Sequence, residues 1–357
     1  MVFMAGLAHP KSSVHLAENA SNLTMTDLNT SSSTVVIVHG YTEGHDSKTV
    51  QIIRDAYLHT SDFNVVVLNW WLLARGPHYE VAAKNTKEAG RSLANFLDNL
   101  IQGTQEEARR ELHVVGFSLG AQVAGIAAGQ LQTAKLPRIT ALDPAKPMFA
   151  IKDKEERLDA GDAAFVQVIH TASGFLSFLE PVGHADFYPN SGMAPQPACS
   201  GEDVLVCSHR MACTYFAESL YRPLSFPATL CDSWDNYKSG NCDGNTQVLM
   251  GANAPLSARG KFYLRTSSAA PYGQGNNTKT AEFPTTLSSN CSQNMTDFKA
   301  DTSPCTETGP WTTVHHSVTK TEPPSVESHN NTEGSARVDR QLTAVGISVI
   351  LSFVLLS

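Results

Sequence analysis

Strand-like and helix-like patterns alternate along the first half of the chain. Continuous β-branched and apolar runs, each suited to one fully buried strand, occupy residues 34–38, 64–68, 112–115, 138–142 and 164–170. Apolar side chains that recur at helical spacing predict a long helix over about 81–100. A shorter helix is predicted over about 47–59, and one edge strand near 14–17.

Strands and helices that alternate in this way predict the α/β class, with a mostly parallel central sheet covered on both faces. In such sheets, functional groups lie at the carboxyl ends of the strands. Gly40 and Tyr41, Ser118 and Asp143 all fall at the ends of predicted strands. We therefore expect these residues to meet at one edge of the sheet.

Changes in amino-acid composition divide the chain into segments. Residues 1–33 are polar, and 34–272 carry the strand and helix patterns of a folded domain. Over 273–336, Thr, Ser, Asn and Pro replace large apolar residues, which predicts a glycosylated, largely disordered stalk. The first residues lack the basic stretch of a signal peptide, so we expect a truncated or wrongly assigned start.

The last segment, 337–357, ends in an uncharged and mostly apolar tail at 342–357. As a helix this tail would be about 24 Å long, which is short for a membrane span. A small-residue triplet begins at Gly334 and precedes a short polar stretch, and this order predicts a lipid-anchor attachment signal. Asn330 and Asn331 are alternative attachment sites, and a plain tail anchor is the alternative reading.

Composition restricts the compartment and the partners. The net charge of −8 argues against nucleic acid as a partner. Seven cysteines, none before Cys199, favour disulfides in an oxidising compartment. Glycosylation triplets of the form N-x-S/T begin at Asn19, Asn22, Asn29, Asn276, Asn290, Asn294 and Asn330. These features predict an extracellular protein, either secreted or attached to the outer cell surface.

The chemistry centres on the sequence Gly116-Phe117-Ser118-Leu119-Gly120. An apolar strand precedes it and a helix rich in alanine and glycine follows it, which is the context of a G-x-S-x-G nucleophile elbow. The turn is strained and leaves no room for side chains at its two glycines, while the serine oxygen stands clear of the backbone. We therefore predict Ser118 as a nucleophile.

A serine nucleophile needs a histidine base, and that base needs a carboxylate. Asp143 is the best acid because it ends a strand and precedes Pro144, which forces a turn. Asp153, Asp159 and Asp162 are weaker candidates in a charged loop. The expected order Ser, Asp, His leaves the base open among His170, His184, His209, His315 and His316.

The reaction also needs donors for the oxyanion. The backbone N–H of Leu119, just after the nucleophile, is one predicted donor. The other should come from the loop after the strand that ends at His39-Gly40, which indicates the N–H of Tyr41.

These motifs resemble those of the pancreatic-lipase family of secreted serine lipases. The resemblance covers about residues 34–270, in the blocks VVIVHGYTEG, NVVVLNWW, HVVGFSLGAQVAG, ALDPAKPMF, VGHADFYPNSG, CSHRMACTYFAES and RGKFYLRT. It implies an α/β-hydrolase fold with Ser118 as nucleophile, Asp143 as carboxylate and His209 as base. It also implies a structural role for His184 and supports Tyr41 and Leu119 as oxyanion donors.

Loop lengths bear on the substrate. In this family a cysteine-bounded lid covers the site just before the catalytic histidine. Here the lid between Cys199 and Cys207 has only seven residues, and the segment 171–182 is also brief. Phospholipase A1 members are similar in both respects, so the resemblance implies hydrolysis of the sn-1 ester of phospholipids at a lipid interface. A triacylglycerol lipase and a non-catalytic lipid-binding homologue are the alternatives.

The chain departs from the family pattern in its C-terminal part. The β-sandwich of vertebrate lipases is replaced by the predicted stalk. Cys199 with Cys207 and Cys231 with Cys242 are predicted as local pairs, and Cys213, Cys291 and Cys305 cannot then all be paired within the monomer. The cysteines lack zinc-ligand spacing, and serine hydrolysis needs no metal or other cofactor, so none is expected. The oligomeric state is left open.

Overall fold

The computed structural model describes residues 28–275, together with the backbone of two short strands before them. Among the predicted glycosylation sites, Asn29 lies within this region and is exposed. Several other predicted features lie outside the described residues: the glycosylation sites Asn19, Asn22, Asn276, Asn290, Asn294 and Asn330, the anchor site Gly334, His315 and His316, and Cys291 and Cys305.

The described part of the chain contains eleven strands in one sheet. Their bounds are β1 Val2–Gly6, β2 Ser13–Leu16, β3 Thr34–Val38, β4 Asn64–Asn69, β5 His113–Phe117, β6 Leu136–Leu142, β7 Ala163–Ile169, β8 Ala185–Pro189, β9 Pro227–Leu230, β10 Gln247–Leu249 and β11 Gly260–Leu264. The helices are α1 Lys48–Thr60, α2 Trp71–Ala74, α3 Tyr79–Gly103, α4 Glu106–Arg109, α5 Leu119–Ala128, α6 Val204–Tyr221 and α7 Trp234–Lys238.

The centre of the sheet is parallel. In the order β10-β9-β11-β8-β7-β6-β5-β3-β4-β1-β2, the strands from β11 through β4 all run in the same direction. Antiparallel pairing occurs at the two sides of the described sheet, where β9 pairs with β11 and β10, and β1 pairs with β4 and β2. With helices interleaved along the chain, this is an α/β-hydrolase fold with a mostly parallel central sheet, as predicted.

Helices cover both faces of the sheet because alternate strand residues point to opposite sides. Val36 and Val38 of β3 pack in one buried cluster with Leu97 of α3, and this cluster extends to α5. Their neighbours Val35 and Ile37 belong to the second cluster, which contains side chains of α1 and α6. Each fully buried aliphatic side chain stabilises the fold by roughly 1.5–3 kcal/mol.

Most predicted elements lie within a few residues of the observed ones. The expected long helix is α3, the shorter one is α1, and the expected edge strand is β2, at the end of the sheet. Gly273 and Gly275, at the start of the predicted stalk, still donate backbone hydrogen bonds to Glu218 and to Ser225 O. Among the residues that the structure describes, no helix is long and apolar enough to cross a bilayer.

Candidate active site

Ser118 sits on a sharp turn between β5 and α5. Its backbone has φ 54° and ψ −119°, a conformation that non-glycine residues rarely adopt. The surrounding backbone holds it there. The Ser118 N–H donates to Leu142 O at 3.0 Å, and Ser118 O accepts from the N–H groups of Ala121 at 3.1 Å and Ala145 at 3.2 Å. Ser118 is 8% exposed, so it is buried but keeps a small accessible surface.

The two glycines of the elbow are explained by close backbone approach. A Cβ atom on Gly116 would lie 2.5 Å from Gly120 O, and one on Gly120 would lie 2.2 Å from Val38 O. Both distances are far below van der Waals contact, and the opposing atoms are backbone atoms that cannot move aside. Strand β5, helix α5 and the end of β3 can therefore meet around Ser118 only if these positions lack side chains.

Asp143 follows β6 on the neighbouring strand and is fully buried. Its Oδ1 accepts hydrogen bonds from the N–H groups of Thr171 at 2.7 Å and Ala172 at 3.1 Å. Its Oδ2 lies 2.6 Å from Nδ1 of His209. Both carboxylate oxygens are therefore occupied, and the orientation of the side chain is fixed.

His209 lies on α6 and is 9% exposed. Its ring packs against Phe117, the residue before Ser118, with ring centroids 4.6 Å apart. Because Asp143 accepts at Nδ1, the proton of the neutral ring is held there and the lone pair lies on Nε2. Nε2 makes no hydrogen bond within the described residues, so it is free to act as a base.

The other two described candidates for the base, His170 and His184, are engaged elsewhere. His170 is buried, and its two ring nitrogens lie 3.0 Å from Phe178 O and 2.9 Å from Asp186 Oδ1. Nδ1 of His184 accepts from the Val166 N–H at 3.0 Å, so this residue ties β7 to the start of β8. The structure therefore brings only His209, among the described candidates, to Asp143.

The rival acids lie on a separate loop. Asp159 and Asp162 form a reciprocal cap at the start of a short helical turn. Burial raises the pKa of Asp162 to about 7. Asp153 precedes another short turn and is exposed. None of the three has a histidine partner within the described residues.

The two predicted oxyanion donors have unpaired N–H groups. The backbone N–H of Leu119 is at the first position of α5, where no intrahelical acceptor exists. The N–H of Tyr41 also donates to no other group within residues 28–275. Such orphan donors at a helix start and in the loop after β3 are suited to binding an anionic oxygen.

His39 is a residue of the site whose role the sequence did not predict. It is fully buried, its Nδ1 lies 3.0 Å from Gly40 O, and its Nε2 accepts from the Trp70 N–H at 3.1 Å. Trp70 Nε1 donates back to His39 O at 2.9 Å. Burial lowers the pKa of His39 to about 4, so the ring is neutral and each nitrogen has one role. The one feature of the sequence that could have indicated this role is the position of His39 directly after the buried strand β3.

A disulfide joins the two ends of the predicted lid loop. Cys199 and Cys207 are bonded with an S–S distance of 2.00 Å, and Cys207 lies in the first turns of α6, two residues before His209. Cys231 and Cys242 form the second bridge, at 1.98 Å. Both predicted pairs are confirmed. Cys213 is buried and has no disulfide partner among residues 28–275, and burial raises the pKa of its thiol well above the usual value.

Comparison with known proteins identifies the relatives of this chain. Residues 6–272 match the family model described as Lipase. Lipase member H of Xenopus tropicalis is 37% identical over 228 residues, which are 62% of this chain and 49% of that protein. Phospholipase A1 member A of Mus musculus is 33% identical over 277 residues, which are 72% of this chain and 59% of that protein.

Among solved structures, MGS-M1, an alpha/beta hydrolase enzyme from a Medee basin deep-sea metagenome library, matches with 14% identity and a TM-score of 0.29. That match covers 46% of this chain and 65% of the other, and it is too distant to carry an argument. The chain spans about half the length of the curated relatives it matches. The family match nevertheless covers well over half of this chain. The chain belongs to the lipase family.

Proposed function

We propose that this protein is a carboxylic ester hydrolase that cleaves the sn-1 ester of phospholipids, using Ser118, His209 and Asp143. Ser118 Oγ attacks the ester carbonyl while His209 Nε2 takes its proton. Asp143 keeps the histidine in the required tautomer and stabilises the imidazolium that forms. The N–H groups of Tyr41 and Leu119 stabilise the oxyanion of the tetrahedral intermediate.

The second half of the reaction uses the same groups. Collapse of the intermediate releases the lysophospholipid alcohol, which takes the proton from His209, and leaves the acyl chain on Ser118. Water then attacks the acyl-enzyme with His209 as base, and the fatty acid is released. The hydrogen bonds to both oxygens of Asp143 support this scheme, because they hold the acid and base in a fixed geometry throughout.

The short lid is the observation that carries the choice of substrate. The disulfide between Cys199 and Cys207 closes a loop with a sequence separation of eight, which covers little apolar surface. The segment 171–182 is folded tightly on itself, with the Gly174 N–H donating to Ser177 O at 2.9 Å and the Ser177 N–H to Ala172 O at 3.3 Å. Two compact loops cover less of the site than long loops would, which favours a substrate with a polar head group.

Exposed apolar side chains support a lipid surface as the place of action. Trp71 and Leu72 follow β4 and are 41% and 69% exposed; Phe175 follows β7 and is 65% exposed. Val206 of the lid is also exposed. All four lie on segments that leave the carboxyl edge of the sheet, where Ser118 lies. Aromatic and aliphatic groups at this edge are suited to inserting into the boundary of a lipid layer.

Two further observations support the proposal. Curated relatives include proteins named Phospholipase A1 member A and Lipase member H. The two disulfides fit an oxidising, extracellular environment, which is the proposed location. We propose attachment to the outer cell surface through a C-terminal lipid anchor as the mode of retention there.

Product analysis tests the proposal directly. A phosphatidylcholine with different acyl chains at its two positions is incubated with the wild-type protein and with Ser118→Ala. We expect release of the sn-1 acid alone, and loss of that release in the variant. A strong preference for triacylglycerol emulsions would show that the substrate is a neutral lipid rather than a phospholipid. Failure of the folded wild-type protein to cleave either lipid would favour a non-catalytic lipid-binding protein.

A further inference from the structure

A buried glutamate closes the loop that carries the first oxyanion donor. Glu43 is 8% exposed, and its Oε2 accepts from the Gly40 N–H at 3.1 Å. The Glu43 N–H donates in turn to Gly40 O at 3.4 Å. Tyr41 and Thr42 form the tip between these two bonds, and the Thr42 N–H is held by Ala74 O at 3.0 Å.

The orientation of one peptide plane decides whether the oxyanion hole exists. In a trans peptide the C=O of Gly40 and the N–H of Tyr41 point in opposite directions. Gly40 O is held by the ring of His39 at 3.0 Å and by the Glu43 N–H. These contacts direct the Tyr41 N–H to the opposite side. A flip of this peptide would instead present the Gly40 oxygen to the developing negative charge.

Glu43 fixes the preceding peptide as well, through its side chain. The hydrogen bond from the Gly40 N–H to Oε2 fixes the orientation of the peptide that joins His39 to Gly40. The peptides on both sides of Gly40 are therefore held in place. Gly40 has no side chain of its own to resist rotation. The glutamate is packed beside Thr49 of α1 and near His209 and Arg210 of α6, and burial raises its pKa.

We propose that Glu43 is a positioning residue for the oxyanion hole, acting as the acceptor that holds Gly40 so that the Tyr41 N–H faces the reacting carbonyl. This role rests on the proposed function, since it requires Ser118 to be the nucleophile. Glu43 is hydrogen-bonded to Gly40, and within the described residues no hydrogen bond joins it to Ser118, Asp143 or His209. Its removal should therefore affect the stabilisation of the transition state rather than the binding of the ester.

The test compares variants on a soluble p-nitrophenyl ester. Glu43→Met removes the acceptor at similar length, whereas Glu43→Gln keeps an oxygen for the Gly40 N–H. Glu218 is the matched control. It is also buried, and its two oxygens accept from the N–H groups of Tyr272 at 2.8 Å and Gly273 at 2.9 Å. Glu218→Met and Glu218→Gln therefore report what losing a buried glutamate costs in general.

We expect Glu43→Met to lower kcat by about 10²-fold, the lower end for losing an oxyanion donor, with KM changed less than about twofold. Glu43→Gln should restore kcat to within about threefold of wild type. Glu218→Met should lower the thermal midpoint while the folded fraction keeps the wild-type kcat. If Glu43→Met does not fold, Glu43→Ala replaces it, because alanine has no acceptor for the Gly40 N–H, and Glu218→Ala is then its control.

The outcomes separate this inference from the proposed function. Full activity in Ser118→Ala would overturn the proposed function. An inactive Ser118→Ala together with a wild-type kcat in Glu43→Met would overturn only the role of Glu43. An equal loss of kcat in Glu43→Met and Glu218→Met would also overturn it, since the effect would then be a general cost of disturbing a buried carboxylate.

Discussion

Replacement of Asp143 by asparagine should abolish activity through the wrong histidine tautomer. In the wild type, the N–H groups of Thr171 and Ala172 both donate to Oδ1 of Asp143. An asparagine must present its own oxygen to these donors, because its NH₂ group would oppose them. The NH₂ group then faces Nδ1 of His209, which can only accept. The proton of the neutral ring moves to Nε2, where the base is needed.

The size of the effect follows from this geometry. The variant keeps the shape and most of the hydrogen bonds of the wild type, but its histidine cannot take the proton of Ser118. Loss of the correct tautomer in a serine triad lowers kcat by about 10⁴-fold. That factor corresponds to about 5.4 kcal/mol of transition-state stabilisation. The binding of the ester, and hence KM, should change little.

A second buried pair provides the control. Asp186 lies 2.9 Å from Nε2 of His170 and also accepts from the N–H groups of Val182 and Gly183. Asp186→Asn should therefore destabilise the fold in a similar way, without touching His209. We would measure kcat on a soluble ester with both variants, normalised to folded protein. If Asp143→Asn kept more than about a tenth of wild-type kcat, the tautomer argument would be refuted.

Three further substitutions test the parts of the fold that surround or stabilise the candidate site. Gly120→Ala should prevent correct folding, because its Cβ would lie 2.2 Å from a backbone oxygen of β3. Gly129→Ala is the control: its Cβ would lie 3.8 Å from the nearest atom, so its thermal midpoint should equal that of the wild type. Replacing Cys231 and Cys242 by alanine should lower the free energy of unfolding in urea by about 3 kcal/mol and leave kcat unchanged. Burial lowers the pKa of His39 from 6.5 to about 4. The unfolded chain therefore binds more protons in that range, and stability should fall by about 3 kcal/mol between pH 6.5 and 4. In His39→Gln, the free energy of unfolding, measured by urea titration at each pH, should fall less steeply between pH 6.5 and 4. The same pH dependence as in the wild type would contradict this.

Five of the parallel strands, β3 to β7, could be predicted because they are largely buried on both faces. Runs such as Thr34–Val38 have no polar side, so a continuous β-branched stretch is a sufficient signal. The strands β9, β10 and β11 carried no such signal. They are short, lie at or near one side of the sheet, and include partly exposed residues. Their pairing depends on contacts that only the assembled sheet provides.

The candidate active site shows the same contrast, because Ser118 and Asp143 extend strands of the sheet and His209 does not. The Ser118 N–H donates to Leu142 O at the end of β6, and the Asp143 N–H donates to Ile169 O at the end of β7. Each residue thus continues the hydrogen-bond ladder one step beyond its own strand. Both have positive φ, at 54° and 44°, which costs of order 1–3 kcal/mol each. The ladder holds them in these strained conformations.

His209 has no place in this ladder. Its position depends on the packing of α6, on the contact with Phe117 and on the nearby lid disulfide. A strand end followed by a turn is visible in the sequence, and so Ser118 and Asp143 could be chosen from the pattern. The register of a helix packed across the site is a property of the tertiary structure, which is why spacing alone left several histidines open. The sheet therefore fixes the proposed nucleophile and acid, while the proposed base lies on α6, the helix that also carries Cys207 of the predicted lid.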